Sequence, residues 1–113
     1  MVEVNQDISI TAGDDFERVF TVTEGGSAKD LTGATPRWVA ARSSGGTAII
    51  SSDDSDVSAS VTAAASGEVT LTVDDTATVD LSGDYVHELE IESAPGEVVT
   101  VSRGVLSVDE NTA

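Results

Sequence analysis

The sequence predicts an all-β chain folded as an antiparallel β-sandwich of about seven to nine short strands. Three observations point there. Valine is the commonest residue, at sixteen of 113, with threonine and serine abundant, and β-branched side chains suit a pleated, half-buried surface. Apolar residues alternate with polar ones along most of the chain, while no stretch carries an i, i+3, i+4, i+7 pattern long enough for a real helix. Clusters of Gly, Ser, Asp and Pro interrupt the alternation at intervals suited to short strands.

Taken in order, the segment from Asp7 to Thr11 puts Ile8 and Ile10 on one face. From Phe16 to Thr23 the shared face holds Phe16, Phe20 and Val22, with Arg18 reaching for the rim. The segment from Thr35 to Arg42 carries Trp38 and Ala40 behind Pro36, a residue that marks a strand start or an edge. Thr47 to Ser51 contains Ile49 and Ile50. Val57 to Ala63 alternates Val57, Ala59, Val61 and Ala63; Glu68 to Val73 alternates Val69, Leu71 and Val73 against Glu68, Thr70 and Thr72. Tyr85 to Glu92 sets Tyr85, His87, Leu89 and Ile91 against Val86, Glu88, Glu90 and Glu92. Val98 to Ser102 and Val105 to Asp109 complete the set, with Leu106 and Val108 inward.

Turns are expected at 24–27, 43–46, 53–56, 65–67 and 94–97, and one helical turn within 74–81 with Asp74 as its N-cap. Residues 1–113 read as one domain, with a frayed or docking tail after Val108. The core is thin, because Phe16, Phe20, Trp38 and Tyr85 are the only aromatics. Edge strands of such a sandwich gain from a neighbour, which is a physical hint of assembly.

Charge narrows the function classes. Five cations against 21 acids give a net charge of −16 and a pI near 4.1. Phosphate repels such a surface, so nucleic acid is not expected as a partner, and no apolar run has the roughly 20 residues of a membrane helix. Absence of cysteine excludes disulfides and thiolate chemistry. Disorder is disfavoured by 39% hydrophobic content and a mean hydropathy of +0.01. Spread acids and a single lysine, Lys29, resemble the composition of proteins from salt-in halophiles. Their self-repulsion is screened as the Debye length falls to about 3 Å at 1 M salt.

Candidate chemistry is sparse. His87 is the sole histidine and shares the Leu89 face, which reads as a structural or rim position. No G-x-S-x-G elbow accompanies it, and none of the fourteen serines is singled out as a nucleophile. Glu88, Glu90 and Glu92 form a same-strand row that projects into solvent rather than across a cleft. Asp53, Asp54 and Asp56 could hold a hard cation loosely, but lack the glycine and distal glutamate of an EF-hand. The expectation is a protein that is not an enzyme, with no catalytic residue, cofactor or metal. Arg37, Arg42 and Arg103, scarce cations on an anionic chain, are candidate subunit contacts, with intramolecular ion pairs as the alternative.

Leu81-Ser82-Gly83-Asp84-Tyr85-Val86-His87 resembles the strand-entry signature of immunoglobulin-like (Ig-like) sandwiches, although Asp80 lies one residue farther from Tyr85 than in antibody domains. Three blocks together resemble a family of small tailed-phage virion proteins: Ile8 to Phe16 followed by Phe20-Thr21-Val22; Lys29-Asp30-Leu31-Thr32-Gly33 leading into Trp38 to Arg42; and Leu81 to Ile91 followed by Gly96, Val99 and an expected hairpin at Arg103-Gly104-Val105-Leu106. The likeness is to the N-terminal domain of phage baseplate upper proteins and fibre adaptors. It implies an Ig-like sandwich that joins a virion by protein–protein contacts, as a ring or trimer with copies of itself and other virion proteins. With the acidic coat, it implies a tail-tip or baseplate component of a haloarchaeal virus. Alternatives are a capsid decoration, turret or head-fibre protein, or a free-standing carbohydrate- or calcium-binding Ig-like module; for carbohydrate only Trp38 and Tyr85 could serve as platforms.

Overall fold

Alternation of the kind seen in the sequence buries one face of each strand, and two such faces must meet to exclude water. A computed structural model describes residues 7–93 and 96–109 and shows this arrangement. One sheet has five strands in the order β1 (Ile8–Thr11), β10 (Glu97–Asp109), β9 (Gly83–Ser93), β5 (Thr35–Ala41) and β6 (Ala48–Ser51). The other has β2 (Phe16–Thr21), β8 (Glu68–Val73) and β7 (Val57–Ala63). A small hairpin, β3 (Thr23–Glu24) and β4 (Ser27–Ala28), turns through Gly25 and Gly26, both at positive φ. The helical turn is α1 (Asp75–Thr78); Asp74 is its N-cap but makes no side-chain capping bond.

Between the sheets lie Phe20, Leu31, Trp38, Leu71, Leu89, Ile91 and Leu106, all buried. On β9 the period-2 expectation holds residue for residue: Tyr85, His87, Leu89 and Ile91 are buried, while the intervening residues are half-buried. β7 and β8 keep the expected bounds, since Gly67 at positive φ turns the chain sharply between them.

Two features depart from the sequence reading. β1 runs parallel to β10, with Ile8 beside Leu106 and Thr11 beside Asp109, in a sandwich otherwise antiparallel among the described residues. The expected hairpin at Arg103 to Leu106 is instead the middle of one continuous strand. Arg103 pairs with Glu88 and Gly104 with His87, and the irregularity is a bulge at Val101. Gly104 therefore serves as a strand glycine opposite the buried imidazole rather than as a turn residue. Asp109 also belongs to the ladder, and its carbonyl accepts the Ala12 amide at 2.8 Å. The expected turn at Ala94-Pro95 and the tail beyond Asp109 lie outside the described residues.

Candidate interaction surface

The register of the five-stranded sheet decides what its outer face presents. Pairing of Arg37 with Glu90 and of Arg103 with Glu88 sets each arginine directly across from a carboxylate. Arg103 donates from Nε to Glu88 Oε2 at 2.7 Å, with Nη2 at 2.6 Å from the same oxygen. Arg37 donates from Nε to Asp53 Oδ2 at 2.9 Å and holds Glu90 at 3.6 Å through Nη1. The Asp53 hydrogen bond, foremost, keeps the Arg37 guanidinium above its ordinary pKa. Arg42 lies 4.2 Å over the Tyr85 ring and donates to the Asp84 carbonyl at 3.3 Å. All three arginines thus have partners within the chain. Arg37 and Arg103 remain nearly half exposed, a setting in which an ion pair stabilises by at most about 1 kcal/mol. Of the acidic row on β9, Glu92 faces solvent as expected, whereas Glu88 and Glu90 are drawn into these pairs.

His87 is fully buried. The Trp38 indole Nε1–H donates to its Nδ1 at 3.2 Å, and the Phe20 and Trp38 rings flank it with centroids at 6.2 and 5.9 Å. An imidazole sealed there reaches no external substrate and serves to complete the core. The three loop aspartates diverge: Asp53 holds Arg37, Asp54 accepts the Ser51 amide at 2.9 Å, and Asp56 accepts the Thr76 hydroxyl at 3.1 Å. Among the described residues no three His, Cys, Asp or Glu side chains gather as a metal-holding group.

A concavity of about 580 Å³ opens beside Asp15, Phe16, Glu17, Asp56 and Asp74. Its ionisable lining is acidic throughout. Asp75 adjoins it in sequence, and its carboxyl is raised above the usual range, first by a hydrogen bond with Asp74 and then by that residue's charge. A second hollow of about 500 Å³ lies between Pro36, Ser52, Asp53 and Ala59, where β6 has ended and the first residues of β5 are paired on their β9 side alone.

The three sequence blocks that carry the phage resemblance lie mostly on β1, β2, β5 and β9, and the turns within them are held by hydrogen bonds. Gly13, at φ 87°, turns the chain after β1; its amide donates to Thr78 Oγ1 at 3.0 Å, and that hydroxyl is 2.8 Å from the Asp14 carbonyl. Asp30 Oδ1 accepts both the amide and the hydroxyl of Thr32, which lowers the Asp30 pKa. Beside it Leu31 is buried and Gly33 supplies the positive φ. The Tyr85 hydroxyl accepts the Ser82 amide at 3.1 Å, a corner bond typical of Ig-like strand entry.

The sequence reading found the acids and arginines but missed the strand edges, which only topology reveals. β1, β6, β2 and β7 are the outer strands of the two sheets. β2 carries Glu17 and Arg18, and β1 and β6 have four residues each. β7 has seven residues and no charge.

No protein-family model matches the chain. No curated protein matches it either. Solved structures do. The N-terminal Ig1-2 module of the Drosophila receptor protein tyrosine phosphatase DLAR is similar at a TM-score of 0.54 and 16% identity, over 95% of this chain and 46% of that one. The chain therefore spans about half the length of that module. CopC from Methylosinus trichosporium OB3b is similar at a TM-score of 0.50 and 17% identity, over 95% of this chain and 87% of that one. At these identities the likeness establishes the fold, an Ig-like β-sandwich.

Proposed function

We propose that this domain is a non-catalytic docking module, and that its setting is the tail tip or baseplate of a tailed virus of halophilic archaea, where it acts as an adaptor between subunits. The observation that carries the docking role is the contrast between its chemistry and its edges. The sole imidazole is sealed in the core, and Arg37, Arg42 and Arg103 are held within the chain, while outer strands of both sheets keep unpaired backbone groups among the described residues. A strand edge binds by main-chain hydrogen bonds and needs no reactive side chain.

The virion setting is supported by the resemblance of the three sequence blocks and by the acidic coat. A charge of −16 is tolerated where salt screens it, which fits a particle built and released in brine. Arg37, Arg42 and Arg103 could still meet a neighbouring subunit, since an exposed ion pair is exchanged at little cost.

Particles purified in molar potassium chloride should contain the chain in stoichiometric copy number, at the tail end in averaged electron micrographs. Recovery of the chain only as a free host monomer would overturn the virion role. Melting temperature should rise steeply between about 0.1 and 2 M potassium chloride, over which the Debye length falls several-fold; a melt indifferent to salt would remove the halophilic part.

A further inference from the structure

We infer that β7 is a self-association edge, through which two copies of this chain pair antiparallel to join their three-stranded sheets. The inference rests on the docking role proposed above and names its first partner.

Exposed edges are ordinarily guarded by charged or inward-pointing side chains, by proline or by shortness, because an open ladder invites another strand. Among the described residues the other three outer strands have such guards. β2 exposes Glu17 and turns Arg18 toward the inner face, opposite Leu71; β1 and β6 are only four residues long. β7 has neither device. Its sequence lies in the longest uncharged run of the chain, Val57 to Gly67, between Asp56 and Glu68. One side of the strand pairs with β8; among the described residues no strand is hydrogen-bonded to the other, although β5 and β6 pack near β7. Ser58 and Ser60 are exposed, Ala59 and Val61 half-buried, and the ladder stays regular from Val57 to Val61 before a bulge at Thr62.

Electrostatics selects the partner and its direction. Two copies that each carry −16 repel least where their surfaces lack carboxylates; β1 and β6 are uncharged too but only four residues long, so β7 is the longest uncharged edge among the described residues, with its Asp56 end bordering the acidic concavity. An antiparallel pair centred on Ala59 sets Ser58 opposite Ser60 of the second copy and Val57 opposite its Val61. Each Asp56 then lies by the uncharged far end of the facing strand. A parallel pair in register would set Asp56 against Asp56, a direct like-charge contact. The result is one six-stranded sheet with a two-fold axis, the commonest closed symmetry.

The test is sedimentation in molar potassium chloride, with Trp38 emission as the check that each variant is folded. The native chain should dimerise at high micromolar concentration. The S58E/S60E variant places two glutamates opposite two more and should weaken the dimer at least tenfold. The S58R/S60E variant is self-complementary only when antiparallel, and should restore it. Thr21→Glu, on the distant strand β2, should leave association unchanged. Undiminished association of S58E/S60E, or failure of S58R/S60E to restore it, would overturn the assignment. A native chain that stays monomeric at every concentration would overturn self-pairing as well, yet leave the docking role to be decided by particle association.

Discussion

Replacement of Gly67 by alanine is the most discriminating perturbation of this fold. Gly67 lies at φ 69°, in the turn between β7 and β8, where an alanine strains the backbone by about 1–2 kcal/mol. Position adds a second cost. A Cβ there would stand 2.5 Å from the Val22 carbonyl oxygen and 2.9 Å from that of Lys29. The Val22 carbonyl is not free to retreat. The Val22 carbonyl accepts the Lys29 amide at 2.9 Å, and the Val22 amide donates to the Gly67 carbonyl at 2.7 Å. Relief must stretch or break these bonds, at about 0.5–1.5 kcal/mol each. The sum is a loss of about 2–5 kcal/mol, out of a total stability of about 5–15 kcal/mol for a domain. At roughly 4–8 °C per kcal/mol, melting should fall by at least about 8 °C. Gly33→Ala is the control: φ is +77° but no atom lies within 4 Å of its Cβ, so only the backbone strain remains. Urea unfolding in molar salt, followed by Trp38 emission, measures both. Equal losses at the two glycines would refute the steric reasoning.

Three further outcomes are expected. Ser102 is buried with a hydroxyl that has no hydrogen-bond partner, so Ser102→Ala should stabilise the chain by about 1 kcal/mol in urea unfolding; a loss of stability would mean the hydroxyl is satisfied. His87→Leu leaves the buried Trp38 indole N–H without its acceptor and should cost about 1–3 kcal/mol, with a shifted Trp38 emission; unchanged stability and emission would argue against that bond. Asp75, its carboxyl raised above the ordinary 3.8 by Asp74, is disfavoured in its charged form by folding. Its contribution is present below about pH 3.8 and lost as pH rises through the raised value, so Asp75→Asn should raise the melting temperature at pH 7 and lose that advantage in acid. An advantage independent of pH would count against carboxyl repulsion as its cause.

Much of the strand layout was legible because alternation and glycine turns are local signals. β7 and β8 could be bounded from Val57 to Ala63 and Glu68 to Val73 since a single tight turn separates two clean period-2 runs. β10 was cut in two because Arg103-Gly104 reads as a turn, and only the cross-strand register reveals Gly104 beside His87. The parallel β1–β10 pair is a long-range choice that no window of sequence encodes. Surface chemistry was half legible: Arg37 and Arg103 were recognisable as scarce cations, but their carboxylate partners follow from strand register. The uncharged run at β7 was visible as composition, yet its place at an edge belongs to topology.

The parallel alignment of β1 with β10 has a mechanical consequence. Tension that enters the chain ahead of Ile8 and leaves beyond Asp109 pulls these two strands in opposite directions along their length. Their ladder is loaded in shear, so its bonds must yield together instead of opening one after another like a zip. A module wired this way resists extension along that axis as a stiff joint does.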